Sequence, residues 1–253
     1  AFYLTRNSLA FTAPFMLEDA SLGLTLANVG ALTSVLPVCY GVSKFASGVL
    51  GARTHPTLLL AGGLALTAAA NAAVGASSAF PLLMLFWGVN GLLQGLGAPA
   101  CARILTAWYP ESLRGTFWGF WTASNNVGGF AAPILAGSAA AAYGWRAGLF
   151  APAAVALAVS LIVALFMKES PESQGFPPVA AAEGGVGKVA AAVEETKADE
   201  AQKPGMMKSL VDDVLTSPAI WLLALAYFFV YVVRQGGRGR GGRKEGADAG
   251  SKQ

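Results

Sequence analysis

Three basic residues, Arg6, Lys44 and Arg234, lie inside stretches of sequence that are otherwise apolar. A lysine or arginine near the centre of a membrane-spanning helix costs roughly 2.5–3.5 kcal/mol on insertion scales, so such residues usually have a function. The six apolar stretches within residues 1–167 contain no aspartate or glutamate, and ion pairs within them therefore cannot account for these cations. An anionic ligand could account for them, and so could side chains that extend to the membrane surface.

A tyrosine precedes two of these arginines by three residues, in the pairs Tyr3/Arg6 and Tyr231/Arg234. Residues three apart share one face of a helix. The two pairs lie 228 residues apart. A membrane protein built from two repeated halves would place them at equivalent positions around one central cavity. The repeated pattern therefore predicts an anion-binding cavity with an arginine on each half.

Other polar side chains in the apolar stretches also follow helical spacing. Tyr40 and Lys44 are four residues apart, and Trp121 and Asn125 share a second helix face, with Asn126 beside it. These side chains could line the same cavity. An asparagine in a membrane helix could instead hydrogen-bond a neighbouring helix, and both interpretations stay open.

The composition excludes several classes of protein. Of the 253 residues, 55% are apolar and only 12% are charged, whereas a soluble domain carries about 25% charged residues. Cys39, Cys101 and His55 have no second ligand at metal-binding spacing, and no nucleophile–base set indicates an enzyme, so neither metal nor cofactor is expected. The basic residues are scattered, which argues against nucleic acid as a partner. The glycine-rich segment 91–97 follows no strand, which favours helix packing over a phosphate loop.

The apolar stretches predict an all-α membrane protein, because each is close to the roughly 20 residues that cross a bilayer. Residues 1–167 should form a six-helix bundle whose first helix is truncated, and 168–217 a charged linker with a possible amphipathic helix. The low-complexity tail 236–253 is expected to be non-native or disordered. Arginines in the short loops place the linker on the cytoplasmic side. The predicted spans are 1–17, 24–50, 57–77, 80–103, 117–142, 147–167 and 218–235.

Several spaced segments carry a family resemblance that covers residues 1–235. They are Tyr3-Leu4-Thr5-Arg6-Asn7, Tyr40-Gly41-Val42-Ser43-Lys44-Phe45, Gln94-Gly95-Leu96-Gly97, Arg114-Gly115-Thr116, Asn126-Val127-Gly128-Gly129 and Tyr231-Val232-Val233-Arg234. In these segments the chain resembles the organophosphate:phosphate antiporters of the major facilitator superfamily, and within them it is most similar to the hexose-phosphate transporters. The resemblance implies a major-facilitator half-bundle of six helices plus the first helix of the second half.

The same resemblance implies roles for individual residues. Arg6 and Arg234 match the two arginines that clamp phosphate between the halves, and Lys44 matches a basic residue near the site. Asn125 stands where a histidine is frequent and Ala98 where a cavity tryptophan is, which leaves room for a substrate larger than glycerol 3-phosphate. The predicted substrate-binding residues are Arg6, Arg234, Lys44, Tyr3, Tyr40, Trp121, Asn125, Asn126 and Tyr231.

The implied function is the exchange of a sugar phosphate, or another organophosphate, for inorganic phosphate by alternating access. The protein would be a multi-pass monomer in the lipid bilayer of the plasma membrane or of the plastid inner envelope. Two alternatives stay open: a membrane-bound sugar-phosphate sensor without transport, and a truncated inactive fragment. A proton-coupled or neutral-solute carrier is less favoured, since the six stretches contain no carboxylate for coupling.

Overall fold

The computed structural model describes residues 1–177 together with residues 179, 218, 222, 225 and 226. Within residues 1–177 the regular structure is entirely helical. Most of the predicted linker beyond residue 177, most of the predicted seventh span and the whole of the tail 236–253 lie outside the described residues. The α-helices are α1 (Phe2–Glu18), α2 (Leu26–Arg53), α3 (Pro56–Ala76), α4 (Phe80–Gln94), α5 (Gly97–Trp108), α6 (Glu111–Ala132), α7 (Ser138–Tyr143) and α8 (Trp145–Phe166).

Among the described residues, four helical segments are long and apolar enough to cross a membrane: Leu26–Lys44, Pro56–Ala76, Phe80–Trp108 and Trp145–Phe166. The third of these joins α4 and α5 into one segment. The two other spans that were predicted within residues 1–167 are also helical. Helix α1 has only 17 residues, and α6 is richer in polar side chains. The all-helical membrane fold predicted from the sequence is therefore confirmed, with two of its six spans less apolar or shorter than the rest.

Two of the predicted spans differ in detail from the observed helices. The span predicted at 80–103 is interrupted at Gly95 and Leu96 and continues to Trp108. The span predicted at 117–142 begins at Glu111 and contains a π-helical turn at Pro133–Gly137. A proline has no backbone N–H, so it interrupts the regular hydrogen-bond ladder and a wider turn takes its place.

The helices pack around α1, α3 and α8. Helix α3 lies along α8, α2 lies along α4, and α1 contacts both α6 and α8. Small residues allow these close approaches, as is usual between helices in lipid. Large apolar side chains on the outer faces are exposed, where lipid would cover them. The main apolar core consists of Leu9, Met16, Leu32, Leu36, Val74, Leu83, Trp87, Trp145 and Leu149.

Polar contacts tie the loops together at one end of the bundle. The indole Nε1–H of Trp145 donates to Oδ2 of Asp19 over 2.8 Å, and Nη2 of Arg146 donates to Oγ of Ser78 over 2.8 Å. Hydrogen bonds from Ser21 and from Trp145, together with the nearby Arg146, hold the pKa of the Asp19 carboxyl below its usual 3.8. These contacts join the α1–α2, α3–α4 and α7–α8 connections.

At the opposite end of the bundle a second set of polar contacts joins the helices. Arg103 of α5 donates hydrogen bonds to the carbonyl oxygens of Gly51 and Thr54 at the end of α2. A guanidinium is favourable there because the carbonyl end of a helix carries partial negative charge. His55 Nδ1 lies 2.9 Å from Glu169 Oε1, so the connection between α2 and α3 also contacts the segment after α8.

Candidate functional site

Helix α1 presents Tyr3 and Arg6 on one face, as the spacing of three residues predicts. The guanidinium carbon of Arg6 lies 5.0 Å from the centroid of the Tyr3 ring. It also lies 4.1 Å from the centroid of the Tyr40 ring, which belongs to α2. Arg6 is thus in contact with two aromatic faces from different helices. Cation–π contacts of this kind contribute roughly 0.5–2 kcal/mol each, more where water is excluded.

Tyr40 connects the two basic residues of the site. The ammonium nitrogen of Lys44 lies 4.9 Å from the centroid of the same Tyr40 ring. Two like charges beside one ring repel each other, and the negative face of the ring offsets part of that repulsion. The structure therefore brings together four of the predicted residues: Tyr3, Arg6, Tyr40 and Lys44.

The place of Tyr40 beside α1 depends on how α2 packs on α4. Gly91 of α4 lies against α2 so closely that a Cβ atom added there would be 2.7 Å from the carbonyl oxygen of Leu36. Ser43 of α2 donates a hydrogen bond to the carbonyl oxygen of Leu92, which fixes the register of the two helices. The glycine-rich segment 91–97 is thus a packing surface, as the sequence favoured, although α4 ends inside it.

The positive charges of the site have no acidic partner within residues 1–177. The ion pairs described there join His55 to Glu169 and Arg146 to Asp19, and neither includes Arg6 or Lys44. The Nε atom of Arg6 is buried and has no hydrogen-bond acceptor among the described residues. A buried donor without a partner is costly, which makes it ready to bind an acceptor that enters the site. Lys44 is exposed, so its ammonium is open to such a ligand.

Helix α6 brings further predicted residues close to α1. A Cβ atom added to Gly128 would lie 3.0 Å from the Cβ of Tyr3. Asn125 is three residues before Gly128 and therefore shares that face of the helix. Its side chain is half-buried and makes no hydrogen bond to another described residue. The alternative that Asn125 serves to bond a neighbouring helix thus finds no contact in this part of the chain.

The remaining predicted residues have distinct surroundings. Trp121 is half-buried and interacts with the thiol of Cys101 of α5. Its ring also meets that of Trp118 edge to face, with centroids 5.1 Å apart. Asn126 is exposed. Tyr231 and Arg234 lie outside the described residues, so their place opposite Arg6 stays a prediction.

A buried polar seam beside the site was missed at the sequence level. Ser8 of α1 donates a hydrogen bond to the side chain of Asn71 of α3. Thr5 of α1 accepts hydrogen bonds from the side chains of Asn90 and Gln94 of α4. The signal was present, because asparagine and glutamine are unusual in apolar helices and normally bond across to a neighbour. The sequence placed Gln94 in the packing segment 91–97 and in one of the segments that carry the family resemblance, but in no contact with α1.

Two cations without an acidic partner among residues 1–177 give this arrangement a positive charge that suits an anionic ligand. Among the described residues no group of three His, Cys, Asp or Glu side chains could hold a metal ion. A guanidinium offers several N–H donors in a fixed plane, and an ammonium adds a mobile charge. Together they suit an oxyanion with several acceptor oxygens, such as phosphate.

Fold and site define a helical, multi-pass integral membrane protein with a positively charged site between its helices. The sequence profile of the Major Facilitator Superfamily matches residues 1–236. The chain therefore belongs to the Major Facilitator Superfamily, as its sequence motifs predicted.

Of three similar proteins, two are named for the transport of a phosphate ester and one is named as a membrane sensor. The chain is 40% identical over 238 residues to a probable hexose phosphate transport protein of Chlamydia trachomatis, covering 92% of this chain and 51% of that protein. It is 36% identical over 233 residues to the membrane sensor protein UhpC of Salmonella typhimurium, covering 92% and 51%. It is 30% identical over 240 residues to the glycerol-3-phosphate transporter of Bacillus subtilis, covering 93% and 52%. The chain thus spans about half the length of these relatives.

Proposed function

We propose that this chain forms one half, with the first helix of the second half, of a transporter that exchanges a sugar phosphate for inorganic phosphate by alternating access. The observation that carries the proposal is the pair of cations beside Tyr40. Arg6 and Lys44 lie 4.1 and 4.9 Å from one ring centroid, in a membrane bundle, with no acidic partner among residues 1–177. A phosphate group would supply the missing negative charge.

The second guanidinium of the proposed site is that of Arg234. It follows Tyr231 by three residues, as Arg6 follows Tyr3. An arginine on each half would repel the other in the empty site, whereas a phosphate between them attracts both. The loaded site therefore closes and switches more readily than the empty one, since a ligand shifts a conformational equilibrium by its difference in affinity for the two states. Obligatory exchange follows from that difference.

A sugar phosphate is the favoured substrate class. Relatives whose names specify hexose phosphate are more similar to the chain than the glycerol-3-phosphate transporter of Bacillus subtilis is. The small Ala98 leaves space for a sugar ring, and the half-buried Asn125 offers that ring a hydrogen-bonding amide. Trp121 provides an aromatic surface. Asn126 and Tyr231 complete the proposed set. We further propose a monomer in the plasma membrane, because the named relatives are bacterial, which favours that membrane over a plastid envelope.

Binding and exchange test the proposal in two steps. Purified protein should bind a hexose phosphate in detergent, inorganic phosphate should displace it, and Arg6→Gln should abolish the binding. Residues 1–235 joined to the part of the Chlamydia trachomatis relative that follows the matching segment should then exchange radiolabelled phosphate for unlabelled hexose phosphate in proteoliposomes. Binding of hexose phosphate that is unchanged by Arg6→Gln would contradict the proposed site.

A sensor is the second candidate function, and it is favoured by the 36% identity to the membrane sensor protein UhpC. A sensor would bind the same ligand through the same cations and signal to a partner without net exchange. The proteoliposome experiment separates the two functions. Hexose-phosphate binding that depends on Arg6, with phosphate flux no greater than in empty liposomes, would favour the sensor.

A further inference from the structure

Helix α4 holds α1 at the residue immediately before Arg6. The side-chain Nε2–H of Gln94 donates to Thr5 Oγ1 over 3.0 Å, and Nδ2–H of Asn90 donates to the Thr5 carbonyl oxygen over 3.4 Å. Gln94 also donates to Asn90 Oδ1 over 3.2 Å, so the two amides brace each other. Thr5 of α1 therefore accepts two hydrogen bonds from side chains on one face of α4.

This contact is fully enclosed. Thr5 and Asn90 are 0% exposed and Gln94 is 3% exposed. A buried hydrogen bond that is broken here finds no water to replace it, so rotation or sliding of α1 against α4 is strongly resisted. The polar contact fixes orientation in a way that the apolar packing around it does not, because apolar side chains can repack after a small rotation.

The orientation of α1 decides where Arg6 points. Consecutive residues of an α-helix project about 100° apart, so fixing Thr5 toward α4 aims Arg6 toward Tyr40 of α2. A rotation of α1 by about 20° would displace a group some 6 Å from the helix axis by roughly 2 Å. In enzymes a misplacement of about 1 Å can cost about 100-fold in rate, and contacts with a ligand depend on geometry in the same way.

We propose that Gln94 and Asn90 are positioning residues that set the rotation of α1 and thereby aim Arg6 at its ligand. The proposal rests on the proposed function only for its effect on phosphate affinity, since the position of Arg6 can be measured without any phosphate. A merely structural role would make the two amides important for folding and leave the surroundings of Arg6 unchanged in folded protein.

The variants are chosen to remove the hydrogen bonds with little change of shape. Gln94→Met keeps the length of the side chain and removes its donors. Thr5→Val removes the hydroxyl that accepts from Gln94 and leaves the carbonyl that accepts from Asn90, whereas Thr5→Ser retains both, so the pair reports on the Gln94 hydrogen bond from the other helix. Ser160→Ala is the matched control, because Ser160 is also buried and donates to the Ala61 carbonyl oxygen over 2.7 Å, between α8 and α3.

Two readouts are measured on purified protein in detergent. The first is the rate at which phenylglyoxal modifies Arg6, relative to Arg103, followed by peptide mass spectrometry. The second is the dissociation constant for inorganic phosphate. Gln94→Met and Thr5→Val should change the relative modification rate of Arg6 several-fold and weaken phosphate binding about 10-fold or more. Thr5→Ser and Ser160→Ala should leave both quantities near wild type.

The outcomes distinguish this proposal from the proposed function. If wild-type protein binds no phosphate but the relative modification of Arg6 responds to Gln94→Met and Thr5→Val, the positioning role stands and the proposed function fails. If phosphate binds through Arg6 and neither variant alters affinity or modification, the positioning role is wrong and the proposed function stands. Should Gln94→Met fail to fold, the comparison of Thr5→Val with Thr5→Ser decides the question alone.

Discussion

Replacement of Arg6 gives the most demanding test of the site. The Arg6 guanidinium lies 4.1 Å from the Tyr40 ring centroid, its Nε is buried without a hydrogen-bond acceptor, and it has no acidic partner among residues 1–177. Its contact with a bound phosphate would therefore be largely desolvated. Removing one partner of such a charge contact costs roughly 2–5 kcal/mol. That corresponds to a loss of phosphate affinity of about 30- to 4,000-fold at tenfold per 1.4 kcal/mol.

The variants separate charge from geometry. Arg6→Gln removes the charge, whereas Arg6→Lys keeps it and removes the planar fork of donors. We expect both to lose affinity for inorganic phosphate, measured by displacement of a labelled hexose phosphate from purified protein in detergent. Arg53→Gln is the control, because Arg53 is the last residue of α2 and lies nine residues beyond Lys44. Its affinity should stay within about twofold of wild type.

The folding of each variant is checked independently by yield and by thermal unfolding. If Arg6→Lys binds phosphate as wild type does while Arg53→Gln does not, then Arg6 is a cation that extends to the membrane surface and the assigned site is wrong. Equal weakening by Arg6→Gln and Arg53→Gln, with Arg6→Lys near wild type, would indicate a general dependence on net charge, which also contradicts the assignment.

Three further predictions concern packing, pH and completeness. Gly91→Ala should destabilise the protein by about 1–3 kcal/mol, because the added Cβ would lie 2.7 Å from a backbone oxygen of α2. Gly62→Ala, where the same atom meets nothing within 4 Å, should leave the thermal unfolding temperature unchanged or raise it. The pKa of Asp19 is lowered in the folded protein by hydrogen bonds from Ser21 and Trp145. The contribution of the Asp19 carboxylate to stability is therefore complete above the pKa of the unfolded chain, which is near 3.8, and is lost as the pH falls through the lower pKa of the folded protein. Thermal unfolding of the wild type should therefore become more acid-sensitive below about pH 4 than that of Asp19→Asn, and equal sensitivity would contradict the assignment. A protein consisting of residues 1–253 alone should bind phosphate but show no phosphate exchange in proteoliposomes, because it spans about half the length of its relatives, and exchange at a rate like that of a full-length relative would refute the two-half cavity.

Two pairs of residues that are near one another in sequence lie on a shared helix face, as their spacing predicted. The spacing of Tyr3 and Arg6 predicted a shared helix face, and the guanidinium does lie over that ring. The same holds for Tyr40 and Lys44 on α2. Helical spacing predicts such pairs because the geometry of one helix determines which side chains share its face.

The interruptions within the helices were predicted less well. The break at Gly95 and Leu96 and the π-helical turn from Pro133 were not expected, although glycine and proline were visible at both places. Whether a glycine or proline in an apolar stretch interrupts a helix depends on the neighbouring helices, which can satisfy the freed backbone groups or leave them unpaired.

The sequence by itself determined that the chain is a helical membrane protein with unpaired cations in its apolar stretches, since length, hydropathy and the type of each residue are local properties. Only the tertiary structure decided that Tyr40 of α2 contacts Arg6 of α1, and that Gln94 holds the residue before Arg6. These relations depend on how far each helix is rotated about its axis. That rotation is set by the close contact at Gly91 and the buried amides of α4 acting together, and no single helix contains the information to specify it.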